Sequence, residues 1–288
     1  MGIERRGNTY RKTDSTQPSG VELEGLALQW LADPMVSGGA HVVPVLEVEP
    51  GILITRAIPS GRCTPAAAEW FGRALALTHA GGADYFGQAP PGWEHDGWMG
   101  RAVMSYAQPS NREWGEFYAE DRLLPNLGPC VDNRSISPGG ARVIERVCEH
   151  LRDGDFNSAQ PSRIESPAAR IHGDLWNGNV LWAPTDTVDW APSTAGHGTS
   201  EAPLPNTVGI LIDPAACGGH AETDLATLGV FGQSHLDRIY AGYQSESPLD
   251  SGWQERIGLH QLYILIIHAL LFGGGYGDET VSVAKKYA

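Results

Sequence analysis

Apolar residues recur every three or four positions through VELEGLALQWLA, residues 21–32, putting Leu23, Leu26, Ala27 and Trp30 at helical spacing. The pattern predicts a helix that stops before Asp33-Pro34. It then shortens. HVVPVLEVE and GILITRAI are rich in β-branched residues and meet at Pro50-Gly51, which predicts a hairpin. Ile58-Pro59-Ser60-Gly61 interrupts the pattern, so a lobe boundary is placed there, with residues 1–58 on one side and 59–288 on the other.

Helical periodicity returns in AAAEWFGRALALTHA (66–80), NREWGEFYAEDRLLPNL (111–127) and GGARVIERVCEHLRDG (139–154), and again over 222–245, 252–272 and 278–287. IHGDLWNGNVLW and VGILIDPA (208–215) each read as a strand beside a loop. Between them, residues 183–207 carry four prolines among Ser, Thr, Ala and Gly, the composition of a surface excursion. No internal repeat is found. The predicted class is α+β: a small β-containing N-lobe followed by a larger, mostly helical C-lobe.

Composition narrows the function. At 288 residues, 41% hydrophobic and 19% charged, the chain has ample length for a large core. A formal net charge of −14 argues against nucleic acid or an anionic membrane as the main partner. The four cysteines are scattered without a CxxC pair, suiting neither a zinc site nor a disulfide framework. MGIERRGNTYRKTD has no apolar core of a signal peptide, and LYILIIHALLF (262–272) is short for a membrane span and reads as a buried helix. A cytoplasmic protein, monomeric or weakly dimeric, is expected. Lysine is nearly absent: Lys12, Lys285 and Lys286 stand against 17 arginines, so chemistry that needs a lysine away from the tail has one candidate.

The polar residues of RIHGDLWNGNVLW fall between two apolar runs. Asp174 and Asn179 are five apart, and Asp213 follows the apolar strand GILI. Two carboxylates and an amide at adjacent strand ends make a hard-oxygen cluster suited to Mg²⁺. The order D-x₄-N then Asp is also that of a kinase catalytic loop, where the first Asp accepts a hydroxyl proton and the other two hold metal. Such a site needs a small-lobe lysine paired with a helix glutamate. Lys12 is the lysine, and Glu22, one turn before Leu26, is chosen over Glu24.

HGDLWNGNVLW, LIDPA and GHAETDLATLGVF, with the helices VELEGLALQWLA, EWGEFYAEDRLLPNL and QLYILIIHALLFGGGY, resemble the fructosamine kinase (ketosamine-3-kinase) family, a branch of the aminoglycoside-phosphotransferase-like kinases. The resemblance implies a bilobal protein-kinase-like fold, ATP and Mg²⁺ as cofactors, and phosphorylation of the sugar 3-hydroxyl of ketosamines, a deglycation step. It implies Asp174 as catalytic base, Asn179 and Asp213 as metal ligands, and Lys12 with Glu22 as the phosphate-gripping pair. Trp176 and His268 are implied at the substrate end. Asp224 and His172 are implied as structural supports of the catalytic loop.

Three departures qualify the resemblance. Only eleven residues precede Lys12, too few for the two strands and glycine-rich turn that cover the phosphates in the family. The 183–207 excursion lengthens the path from the catalytic loop to Asp213. Ile267 replaces the asparagine of the family's Asn-His pair. Other acceptors therefore stay open, an aminoglycoside or a choline-like alcohol among them, as does a non-catalytic nucleotide-binding pseudokinase. A metallohydrolase using His172, Asp174, His197 and His220 lacks metal-ligand spacing and is set aside.

Overall fold

A computed structural model describes residues 2–190 and 204–288; His197 and most of the excursion lie outside the described residues. The small lobe is a four-stranded antiparallel sheet of order β1-β2-β5-β4, made of β1 (Gly2–Arg6), β2 (Thr9–Thr13), β4 (Val45–Glu49) and β5 (Ile52–Arg56). Helix α1 (Pro18–Ala32) packs on it. Gly25 allows the close approach, since a Cβ there would sit 2.6 Å from a Val48 methyl. The predicted β4–β5 hairpin is present, with Gly51 at its turn.

The β1–β2 hairpin has no counterpart in the sequence prediction, because GIERR and TYRKT are mostly polar and give no hydrophobic alternation; β1 is exposed and β2 mostly half-buried. Its turn, Gly7-Asn8, is not a cover over Lys12. The Asn8 carbonyl accepts from the Ala57 N–H at 2.9 Å, which places the turn at the connector between the lobes.

Strand β3 (His41–Val42) crosses out of the small-lobe segment and pairs in parallel with β10 (Thr207–Leu211), which pairs antiparallel with β9 (Val180–Pro184). The larger lobe begins with α2 (Pro65–Ala80), capped by the Thr64 hydroxyl at the Ala67 N–H. A hairpin follows, β6 (Gly97–Met99) and β7 (Ala102–Met104). Helix α3 (Trp114–Phe117) runs through a π-helical stretch, Tyr118–Leu123, into α4 (Leu124–Asp132). Pro125 has no N–H for the preceding turn, which accounts for the widening there. Then come α5 (Pro138–Arg152), β8 (Ala169–Ile171) and, beyond β9 and β10, β11 (Cys217–Gly219), which pairs with β8.

The helix predicted over 222–245 is two helices, α6 (Ala221–Val230) and α7 (Leu236–Glu246). Gly232 and His235 take positive φ between them and break the run. Helix α8 (Trp253–Phe272) is long and apolar enough to span a bilayer, but half of it is buried inside the protein, where it packs against α4, α6 and α9 (Tyr276–Ala284).

Candidate active site

The site forms where β8, β9 and β10 end. Asp224 on α6 is fully buried and organises the loop after β8: its carboxylate accepts from the backbone N–H of His172 (2.7 Å) and of Gly173 (2.9 Å) and meets His79 Nε2 at 3.1 Å. Burial opposes its charge, but the His79 and His172 contacts outweigh burial and hold its pKa below the ordinary value. Gly173 takes φ +80°, and a Cβ there would lie 2.1 Å from the Ala215 carbonyl oxygen, so the loop turns only with glycine at this point. His172 reaches across with Nε2 2.9 Å from the Ile212 carbonyl, tying this loop to the chain that carries Asp213. Asp224 and His172 thus tie the loop after β8 to α6 and to the Ile212 carbonyl.

Asp174 follows on that loop. Asn179 Nδ2 donates to the Asp174 carboxylate at 3.0 Å, to the Asp174 carbonyl at 2.8 Å and to the Asp213 carbonyl at 3.3 Å. Asn179 is buried, and its Nδ2 contacts hold Asp174 and the Asp213 backbone together. Burial pushes the Asp174 carboxyl up to about 7; the Asn179 bond works against that rise, and the Asp213 and Asp224 charges add to it. Asp213 sits at φ +52°, a conformation that costs a non-glycine residue energy and turns its carboxylate toward Lys12.

Lys12 Nζ lies 2.6 Å from Glu24 Oε2 and 3.2 Å from Asp213 Oδ1. Burial disfavours the ammonium, but Glu24 and Asp213 outweigh it and hold the lysine pKa above its ordinary value. The partner is therefore Glu24 and not Glu22, which is exposed on the opposite side of α1. The sequence held the signal: Val21, Glu24, Leu28 and Leu31 recur at helical spacing, and the three apolar members are buried. Leu26, on which the choice of Glu22 rested, is only half-buried.

Two cavities meet at this pair. One, of about 470 Å³, runs between the lobes from Leu53, Thr55 and the 56–61 connector to Trp182, Lys12 and Asp213. The second, of about 190 Å³, shares Lys12, Glu24 and Asp213, and it alone contains Asp174. Asn179, Trp176 and His268 line neither. Trp176 packs edge-on against Phe231 (5.8 Å between centroids), and His268 stands 4.8 Å from Phe231 and 5.1 Å from Tyr276. The His268 Nδ1–H donates to the Ile264 carbonyl one turn back, and Ile267 beside it is core. Elsewhere, His220, Glu222 and His260 cluster in the interior. There the Glu222 carboxylate is already bidentate with Arg256 (2.9 and 2.6 Å) and lies 3.2 Å from His260 Nε2, while His260 Nδ1 pairs with the Thr223 hydroxyl at 2.9 Å, so the carboxylate is engaged within the core.

The lobes, the lysine–glutamate pair and the Asp/Asn/Asp cluster are those of a bilobal protein-kinase-like fold. An ADP-bound aminoglycoside phosphotransferase superposes with a TM-score of 0.55 over 99% of this chain and 93% of that one; at 11% identity the likeness concerns the fold. The chain belongs to the fructosamine kinase family, whose family model matches residues 47–288. A solved structure described as a fructosamine-3-kinase from Thermobifida fusca YX-ER1 is 34% identical, with a TM-score of 0.79 over 100% of this chain and 93% of that one. A Synechocystis protein described as a probable ketoamine kinase is 32% identical over 219 residues, which is 75% of this chain and 61% of that protein. The chain thus spans less than two thirds of the length of that curated relative.

Proposed function

We propose that this protein is an ATP-dependent kinase that phosphorylates the sugar 3-hydroxyl of ketosamines, free or attached to protein. Family membership and the names of the similar proteins support the substrate class. The observation that carries the reaction type is the meeting of two cavities at Lys12 and Asp213, with Asp174 opening only into the smaller one. Nucleotide fills the larger cavity, with its base toward the 56–61 connector and its phosphates toward Lys12. The acceptor enters the smaller.

The donor set fits magnesium. Asp213 is half-exposed and lines both cavities, Asn179 is bonded to Asp174 and to the Asp213 carbonyl beside it, and both residue types offer hard oxygen ligands. When bound, the ion supplies charge neutralisation for the phosphates. The chain's own part is positional. Lys12, steadied by Glu24, grips the phosphates. Asp174 accepts the proton of the sugar hydroxyl as that oxygen bonds to the γ-phosphorus and the bond to the β-phosphate oxygen breaks, releasing ADP. Asp224 and His172 hold the Asp174 backbone in place for the transfer.

The test is ADP release with Mg-ATP in the presence and absence of fructosyl-lysine or ribulosyl-lysine. Asp174→Asn is expected to lower acceptor-dependent turnover by about 10²–10⁴-fold, the contribution of a positioned base, with nucleotide affinity retained. Near-wild-type turnover in that variant would overturn the base assignment. Activity on choline or an aminoglycoside, with none on either ketosamine, would replace the acceptor class.

A further inference from the structure

The smaller cavity has a wall that the motifs do not announce. Besides Asp174 it is lined by the start of α1, through its N-cap Gln17 and through Gly20 and Val21, and by the β6–β7 hairpin, through Trp98, Met99 and Gly100. The hairpin is wedged between two helices. A Cβ at Gly97 would lie 2.9 Å from a Leu23 methyl on α1, and one at Gly100 would lie 3.1 Å from a Leu271 methyl on α8. A Cβ on Gly20 would approach the Trp98 ring to 3.6 Å, and Trp93 meets Trp98 edge-on at 6.5 Å between centroids. Trp98 is therefore held by packing from both sides, and its half-buried indole lines the cavity that contains the base.

We propose that Trp98 is the acceptor-selecting residue of this chain, its indole forming the apolar platform for the ring or chain carbons of the substrate whose hydroxyl reaches Asp174. This rests on the kinase reading above. A rigid aromatic face suits the C–H face of a sugar, with little ordering cost. The rest of the lining carries Asp14, Glu24, Asp174 and Asp213 against Lys12, an acidic balance that suits an acceptor bearing an amine cation. A contact of this kind is made equally in the ground state and the transition state, so its loss raises KM for the acceptor and leaves kcat nearly unchanged.

The experiment measures acceptor and ATP kinetics for wild type, Trp98→Ala and Trp98→Phe on a panel of fructosyl-lysine, ribulosyl-lysine, choline and kanamycin. For whichever acceptor the wild type uses, Trp98→Ala is expected to raise the acceptor KM at least tenfold. KM for ATP should stay within twofold, and Trp98→Phe should recover most of the loss. A merely structural role would move both KM values or kcat, or would not be rescued by Phe. An acceptor KM within twofold of wild type in Trp98→Ala overturns the proposal. Turnover of choline or kanamycin alone overturns the ketosamine reading while the Trp98 variants still decide this one. Turnover of no panel member overturns both.

Discussion

Replacing Glu24 and Glu22 separately by glutamine distinguishes two carboxylates two residues apart on one helix. Glu24 Oε2 is 2.6 Å from Lys12 Nζ in a nearly buried pair, whereas Glu22 is exposed. A hydrogen bond to a charged group contributes about 1.5–3 kcal/mol. In Glu24→Gln the lysine keeps an amide oxygen in place of the charged one and Asp213, at 3.2 Å, as its remaining carboxylate, and is drawn toward a group proposed to serve the metal. With tenfold per 1.4 kcal/mol, kcat/KM for ATP should fall about 10- to 150-fold. Glu22→Gln should leave it within about twofold, as a surface change does. Steady-state ADP release at saturating acceptor, with ATP varied, reads both. Equal behaviour of the two variants, or a larger loss in Glu22→Gln, would refute the assignment of Glu24 and with it the geometry of α1 against β2.

Three further outcomes are expected. Asp224→Ala strips an acceptor from two backbone N–H groups and from the His79 ring; at about 1–3 kcal/mol for each of the three unsatisfied groups it should cost about 3–9 kcal/mol in urea unfolding, and a loss under about 1 kcal/mol would contradict its bracing role. Burial raises the Glu222 pKa, but the contacts with His260 and Arg256 outweigh it and depress it from 4.5 to about 2. Its stabilisation is thus present above pH 4.5 and lost as pH falls through about 2. At 1.36 kcal/mol per unit this is about 3 kcal/mol, so the stability gap between wild type and Glu222→Gln should narrow by about that much over this window; a gap independent of pH would refute it. Asp213→Asn, which keeps a side chain tolerant of positive φ, should raise the magnesium concentration for half-maximal rate by about tenfold or more, equivalent to about 1.4 kcal/mol. An unchanged magnesium requirement would remove Asp213 from the metal set.

The loop that carries Asp174 was legible in the sequence as a polar cluster because its information is local. Asp174, Asn179 and Gly173 lie on one short turn, and Asp213 directly follows its strand, so spacing alone brings them together once the strands pair. The long helices were legible for the same reason: the period of apolar positions is written within each segment. The same period also contains Glu24; the inward face is marked by Val21, Leu28 and Leu31 and not by the half-buried Leu26.

Other features are decided only across the chain. Strands β1 and β2 acquire their form by pairing, β2 with β5 and β1 in turn with β2, not from their own hydrophobic pattern. β3 is two residues long and exists because β10, far along the chain, offers it an edge. His79 meets Asp224 across 145 residues, and Trp98 becomes a wall of the Asp174 cavity only because glycines let its hairpin settle between α1 and α8. By itself the sequence determined which groups could perform the chemistry. Tertiary packing decided which carboxylate pairs with the lysine and which aromatic lines the Asp174 cavity, because burial and partner distance come from contacts that sequence spacing does not encode.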